Sequence, residues 1–115
     1  MKKQTGVDNM EKLPVMREDE LLTKVQDGRY VLFFTAGWCP DCQAIKPAMP
    51  AIEQEFSDYH FYQVDRDENI DLAADLNIFG IPSFVAYCDG KEIGRFVSKD
   101  RKTKQQVEDF LRNLK

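Results

Sequence analysis

Hydrophobic residues along this chain form three short apolar runs that are typical of β-strands. The run at 30–35 is continuous, which is expected of a strand covered on both faces of a sheet. A second run lies at 60–65. A third, at 83–87, is followed by Asp89-Gly90 and by a further strand-like segment at 92–97. An Asp-Gly pair between two such segments predicts a β-hairpin.

Four other segments carry apolar residues at helical spacing. They cover residues 18–25, 40–57, 70–76 and 103–114. Pro47 lies inside the longest of them and predicts a kink, because proline removes one backbone donor and crowds the preceding turn. In the last segment, Thr103 and Gln106 have the spacing of a capping box at a helix start.

The predicted elements alternate along the chain. With a short edge strand at 13–16, their order is β-α-β-α-β-α-β-β-α. This order predicts an α/β fold, with a mixed central sheet flanked by helices on both faces. The chain has 115 residues, the usual size of one domain. We expect a flexible N-terminal segment at 1–11, where the sequence is polar, and one domain at 12–115.

Composition and charge exclude several classes of function. The 16 Lys and Arg residues against 20 Asp and Glu give a net charge of −4, which argues against nucleic-acid partners. The basic cluster at 99–104 is predicted to be a solvated loop entering a helix. No apolar run approaches the ~18 residues of a membrane span, so we expect no membrane association. No apolar h-region follows the N-terminus, which favours a cytoplasmic protein, although a chain whose leader had been removed would show the same pattern.

Two of the three cysteines, Cys39 and Cys42, lie between a predicted strand and the start of a predicted helix. A helix N-terminus offers unpaired N–H groups and a partial positive charge, and both favour a thiolate over a thiol. One sulfur can attack a substrate disulfide and the other can release it. The pair therefore predicts a thiol–disulfide oxidoreductase in which Cys39, near the N-cap, is the nucleophile and Cys42 the resolving thiol.

A structural or metal-binding pair is the competing interpretation. A tetrahedral zinc ion needs four ligands. The other candidate ligands are Cys88 and His60, and neither is predicted to lie near the motif. We therefore expect no metal.

The two residues between the cysteines are predicted to modulate the thiols. Pro40 stands at the first helical position, where its missing donor costs nothing. Asp41 follows, and the helix dipole favours an acid in the first turn. Asp41 has three open roles: a structural one, an electrostatic one, and relay of a proton to or from Cys42.

Four features together resemble the thioredoxin family from about residue 12 to the end. They are Trp38-Cys39-x-x-Cys42 after a strand, Pro47, Val64-Asp65, and Gly80-Ile81-Pro82-Ser83. The resemblance implies a thioredoxin fold in which Pro82 is cis and faces the cysteines. It implies that the redox-active Cys39–Cys42 disulfide works without a bound cofactor. It also implies a substrate-binding surface formed by Trp38, Phe79, Gly80 and Ile81, with Pro82 beside them.

The motif centre, Pro40-Asp41, is typical of a Cys-Pro-Asp-Cys branch of that family. Phe33 and Phe61 occupy the places of a buried Asp and Lys that the family's common members keep. Loss of both is physically coherent, since removal of one would leave a buried unpaired charge. Ser98 stands near the place of a family glycine beside the substrate groove.

The resemblance implies protein disulfides or mixed disulfides as substrates and thioredoxin reductase with NADPH as the electron source. We expect the protein to be a monomer. The departures from the common motif leave a second hypothesis open. In it, the protein is a non-enzymatic adaptor or subunit that binds a dedicated protein partner.

Overall fold

The computed structural model describes residues 10–114, and within them five strands form one mixed sheet. The strands are β1 (Glu11–Lys12), β2 (Arg29–Thr35), β3 (His60–Asp65), β4 (Ser83–Cys88) and β5 (Lys91–Phe96). Their order across the sheet is β1-β3-β2-β4-β5. Strand β3 runs parallel to β1 and β2, whereas β4 is antiparallel to β2 and β5. The predicted mixed sheet and its closing hairpin are confirmed.

Five α-helices connect or follow the strands in the described part of the chain. They are α1 (Glu18–Lys24), α2 (Pro40–Ile45), α3 (Met49–Glu55), α4 (Ile70–Asp75) and α5 (Lys104–Arg112). The single kinked helix predicted at 40–57 is two helices, because a 3₁₀ turn at Lys46–Ala48 separates α2 from α3. Pro47 lies in that turn, where its missing N–H breaks the α-helical ladder. No helix within residues 10–114 is long and apolar enough to cross a membrane.

Each face of the sheet packs against its own helices. Side chains alternate along β2, so Leu32 and Phe34 join the cluster that contains residues of α1 and α4. Val31 and Phe33 join the opposite cluster, with residues of α2, α3 and α5. The predicted arrangement of helices on both faces is therefore confirmed.

The first strand lies earlier than the predicted edge strand at 13–16. The two residues of β1 pair with β3, and the N–H of Leu13 still donates to Gln63 O at 2.8 Å. The pairing ends before Pro14, which has no N–H to donate. Residues 10 and 11, assigned above to a flexible segment, belong to the fold: Met10 is buried, and residue 11 lies in β1. Residues 1–9 lie outside the described part.

The topology brings one end of three strands to the same edge of the sheet. Strands β2 and β3 are parallel and end at Thr35 and Asp65, while β4 runs the other way and begins at Ser83. The Cys39–Cys42 segment follows β2 at this edge. His60 begins β3 and Cys88 ends β4, so both lie at the opposite edge, away from the paired cysteines.

Candidate dithiol site

Cys39 and Cys42 are joined by a disulfide at the N-terminus of α2, with their Cα atoms 5.2 Å apart. Cys39 is the N-cap residue and has extended backbone angles. Its Sγ accepts a hydrogen bond from the N–H of Cys42 at 3.1 Å, and Pro40 occupies the first helical position. The sulfur thus replaces the side-chain oxygen of an ordinary N-cap. In the reduced protein, the same N–H and the helix dipole favour a thiolate at Cys39.

The two sulfur-bearing residues differ in exposure. Cys39 is 4 % exposed, whereas Cys42 is 0 % exposed. A nucleophile must reach a substrate sulfur, while a resolving thiol needs to reach only its neighbour. Cys39 therefore lies nearer the surface than Cys42, and the division of roles stays a prediction.

A loop that precedes β4 lies against the disulfide. Its Ile81–Pro82 peptide bond is cis, as the family resemblance implies. The carbonyl oxygen of Ile81 is 3.9 Å from the Sγ of Cys39. The hydroxyl of Ser83 donates to Gly80 O at 2.6 Å, which closes the loop on itself. A backbone carbonyl thus faces the sulfur that a substrate would approach.

Gly80 allows this loop to pack against a second one. A Cβ built on Gly80 would lie 2.5 Å from the carbonyl carbon of Ser98 and 2.5 Å from the backbone nitrogen of Lys99. Both atoms belong to the backbone and cannot swing away. Only glycine fits this close approach of two backbone segments.

Lys102 holds the second loop in place. Its Nζ donates to Ser98 O at 3.1 Å, to Ser98 Oγ at 3.0 Å and to Asp100 O at 2.9 Å. The side chain also lies over the ring of Phe96, and the residue is 2 % exposed. Burial lowers the pKa of the Lys102 ammonium from its ordinary value. The prediction of a simply solvated basic loop at 99–104 is therefore wrong for Lys102, because the loop folds around that ammonium group.

A surface cleft of about 290 Å³ opens beside the disulfide. Seven of the nine predicted site residues line it: Trp38, Cys39, Pro40, Asp41, Phe79, Gly80 and Ile81. The other two, Cys42 and Pro82, are buried and are not part of its lining. Trp38 and Phe79 are 61 % and 85 % exposed, so the cleft has a large apolar rim. Arg66 and Lys99 also line the cleft and were missed by the sequence analysis.

Trp38 is held by two residues that follow β3. Its Nε1 donates to Asp67 Oδ2 at 2.7 Å, and the guanidinium of Arg66 lies over its ring at 5.5 Å. Arg66 Nε also donates to Asp67 Oδ1 at 3.2 Å. These contacts fix the orientation of an exposed aromatic ring. The sequence gives one indication of these contacts: Arg66 and Asp67 directly follow β3. That strand ends at the same edge of the sheet as the cysteine motif.

The carboxylate of Asp41 is paired with a cation. Arg101 Nε donates to Asp41 Oδ1 at 2.9 Å, and this contact links the first turn of α2 to the loop before α5. The two residues are sixty positions apart. No local pattern in the sequence points to this pair.

Phe33 and Phe61 are both buried in the cluster on the α2–α3–α5 face. The ring of Phe33 stacks on that of Phe84, with centroids 5.0 Å apart. Glu108 is the only buried acidic residue within residues 10–114, and it lies on α5, where it pairs with Lys104 at 3.0 Å. Positions 33 and 61 are therefore filled by aromatic packing.

The remaining candidate metal ligands do not join the paired cysteines. His60 Nε2 lies 3.2 Å from Glu11 Oε1, and Cys88 Sγ lies 3.8 Å from Asp89 Oδ2. Both contacts are at the opposite edge of the sheet.

Comparison with known proteins agrees with this geometry. The sequence model of the family described as "Thioredoxin" matches residues 12–113. Thioredoxin from Geodia cydonium is 39 % identical over 79 residues, which are 69 % of this chain and 74 % of the relative. Thioredoxin H2 from Arabidopsis thaliana is 40 % identical over 67 residues, 58 % of this chain and 50 % of the relative. The chain spans about half the length of that relative and of the chloroplastic thioredoxin X from the same plant.

Solved structures show the same fold. Oxidised mitochondrial thioredoxin 3 from Saccharomyces cerevisiae superposes with a TM-score of 0.77 at 25 % identity, over 91 % of this chain and 95 % of that one. A thioredoxin from Nicotiana alata has a TM-score of 0.78 at 22 % identity, over 98 % and 99 % of the two chains. With the family match over residues 12–113, these findings show that the chain belongs to the thioredoxin family.

Proposed function

We propose that this protein is a thiol–disulfide oxidoreductase that reduces protein disulfides or mixed disulfides. The observation that carries the proposal is the Cys39–Cys42 disulfide at the N-terminus of α2, beside an open cleft. The N–H of Cys42 already points at the Sγ of Cys39. Membership of the thioredoxin family supports the same chemistry.

The proposed reaction is two successive thiol–disulfide exchanges. The Cys39 thiolate attacks one sulfur of the substrate disulfide, forms a mixed disulfide and displaces the first substrate thiolate. The Cys42 thiol then loses its proton and attacks Cys39 Sγ, which breaks the mixed disulfide and releases the second thiolate. The substrate gains two electrons, and the protein is left with the Cys39–Cys42 disulfide. The two sulfurs carry both electrons, so the exchange needs no bound cofactor.

The exposed rim of the cleft is the proposed docking surface for protein substrates. Trp38 and Phe79 offer a large apolar area, and Ile81 supplies a backbone edge next to Cys39. An extended substrate segment that pairs with the backbone of Ile81 would bring its cysteine to the sulfur, as in other cases of strand addition. Gly80 allows this edge to sit close to the neighbouring loop.

Thioredoxin reductase with NADPH is the proposed source of electrons, on the strength of the family membership. We further propose that the protein works as a monomer in the cytoplasm. A net charge of −4 fits neither nucleic acid nor an anionic membrane surface as a partner.

Reduction of insulin disulfides with dithiothreitol as the electron source tests the proposal. The wild-type protein and the Cys88→Ser control should accelerate reduction well above dithiothreitol alone. Cys39→Ser should give no acceleration, because the attacking sulfur is gone. An inactive but folded wild-type protein would contradict the proposed reductase and favour the adaptor hypothesis.

A further inference from the structure

The cleft beside the disulfide carries more positive than negative charge, although the whole chain is acidic. Of the charged residues that line it, Asp41 is paired with Arg101, and Arg66 is paired with Asp67. Lys99 also lines the cleft, and the structure gives it no ion-pair partner among residues 10–114. The lining itself therefore holds two cations, Arg66 and Lys99, and one acid, Asp41.

Lys99 and Arg101 both have donor groups left for a ligand. Arg101 is exposed and uses its Nε for Asp41, while its two Nη groups meet no hydrogen-bond acceptor within the described residues. The ammonium of exposed Lys99 has three donors and no hydrogen-bond partner in the same part of the chain. The rim next to Cys39 therefore presents two cationic groups to an approaching segment.

The loop that carries these cations is built into the site. Lys102 ties Ser98 and Asp100 together from inside the loop. On its other side, the backbone of Ser98 and Lys99 packs against Gly80 so closely that a Cβ there would not fit. The backbone that carries the cations is consequently held close to the loop that faces the disulfide.

We propose that the cleft selects disulfides whose cysteine is flanked by Asp or Glu, with Lys99 as the main determinant and Arg101 as the second. This inference rests on the proposed reductase function and names its substrate class. A carboxylate within reach of an unpaired ammonium is attracted during encounter, which raises the association rate in a way that salt weakens. A cationic flank would instead meet the two cations Arg66 and Lys99 on the cleft wall, where the one lining acid, Asp41, is already engaged by Arg101.

Matched peptide disulfides provide the test. Three end-capped pentapeptides, with Glu, Gln or Lys two positions on either side of a central Cys and Gly elsewhere, are oxidised to homodimers. The prereduced protein is mixed with each peptide, and the initial rate of peptide thiol release is measured by acid quench and mass spectrometry. Each rate is divided by the rate with dithiothreitol, which corrects for the intrinsic reactivity of the peptide.

We expect normalised rates in the order Glu, Gln, Lys, with a several-fold spread at low ionic strength that shrinks in high salt. Lys99→Glu should abolish or reverse this order. Lys91→Glu changes the net charge equally but lies in the hairpin at the opposite edge of the sheet, so it should keep the order. Equal normalised rates for the Glu and Lys peptides, or equal effects of the two substitutions, would overturn the inference and leave the reductase function standing. If none of the three peptides is reduced, the reductase function is refuted, and this inference is refuted with it.

Discussion

At the scale of single residues, two cysteines three positions apart occupy different environments. Cys39 caps α2 and lies on the wall of the cleft, whereas Cys42 is fully buried in the first turn. The backbone N–H that points at the sulfur of Cys39 comes from Cys42 itself. The short spacing of the motif therefore lets the backbone of Cys42 stabilise the sulfur of Cys39, which lies on the cleft wall.

Selective alkylation follows from this difference. In the reduced protein at neutral pH, iodoacetamide should modify Cys39 well before Cys42 or Cys88. A helix N-terminus favours the thiolate form of a cysteine, and the thiolate is the form that iodoacetamide alkylates. The rate should rise with pH as the thiolate fraction rises. Peptide mapping by mass spectrometry identifies the labelled residue, and preferential labelling of Cys42 would reverse the assigned roles.

The ion pair with Arg101 favours an electrostatic role for Asp41 over a proton relay. Its carboxylate is turned toward a cation on another loop. In Asp41→Asn the negative charge near Cys39 is lost while Arg101 stays, so the Cys39 thiolate should form at lower pH and the first attack should become faster below pH 7. Resolution by Cys42 should be unchanged. Stopped-flow measurement of both steps checks this, with Asp100→Asn as a control for one lost acid in the neighbouring loop.

The relay hypothesis gives the opposite pattern for the same variant. Resolution would slow while the first attack kept its rate. That outcome would show that Asp41 exchanges a proton with Cys42 despite its pairing with Arg101.

At the scale of elements, the sequence predicts what local patterns control. The capping box of α5 forms as predicted, with Thr103 Oγ1 accepting from the N–H of Gln106 at 3.1 Å. The position of β1 was missed because a two-residue strand is set by pairing with β3 and has no periodicity of its own. The sequence predicts only a kink at Pro47, whereas the long helix is divided into α2 and α3. One proline does not show how many residues around it lose α-helical hydrogen bonding.

Parts of the candidate site that depend on contacts between distant elements could not be predicted. The nine predicted site residues are indicated by the contiguous motif around the cysteines and by the family resemblance. Arg101 meets Asp41, and Lys102 turns into the protein, only because the loop before α5 folds against Gly80. Charge patterning alone describes such a loop as solvated.

The contact between these two loops can be tested by substituting Gly80. Gly80→Ala places a methyl group 2.5 Å from the backbone of Ser98 and Lys99, so the loops must separate. We expect a loss of about 1–3 kcal/mol in the free energy of unfolding, as for other overpacked sites. Disulfide exchange should slow as well, because Ile81 moves with the loop. Urea denaturation and the insulin assay measure the two effects.

Gly37→Ala is the matched control for that variant. A Cβ on Gly37 meets no heavy atom within 4 Å. The substitution should therefore change the free energy of unfolding by only a few tenths of a kcal/mol, as most surface substitutions do. If Gly80→Ala and Gly37→Ala destabilise the protein equally, the close approach of the two loops does not explain the glycine at position 80.

At the scale of the whole molecule, the sheet separates two apolar clusters, and the site lies where β2, β3 and β4 share an edge. The predicted α/β class and helix placement follow from this division, because each strand alternates between the two faces. In the cluster on the α2–α3–α5 face, positions 33 and 61 are both occupied by phenylalanine. The stability of the fold should therefore depend on keeping charge out of that cluster.

Phe33→Asp tests that dependence. It replaces a fully buried ring by an unpaired acid, and we expect a loss of roughly 3–5 kcal/mol or more in the free energy of unfolding. Burial raises the pKa of such a carboxyl above its value in the unfolded chain, so the loss should be larger at pH 7 than at pH 4. Phe33→Leu, which keeps the site apolar, should cost clearly less in urea denaturation. Equal losses for the two variants would mean that position 33 is hydrated.

The central claim is that Cys39 attacks a substrate disulfide and Cys42 resolves the product. Its most direct test is the covalent product formed when reduced Cys42→Ser is mixed with a peptide disulfide. The variant lacks the resolving sulfur, so mass spectrometry should find a stable mixed disulfide between one peptide and Cys39, while the wild-type protein ends as the Cys39–Cys42 disulfide with two free peptide thiols. A peptide attached to Cys88, or no adduct from a folded Cys42→Ser protein, would contradict the mechanism.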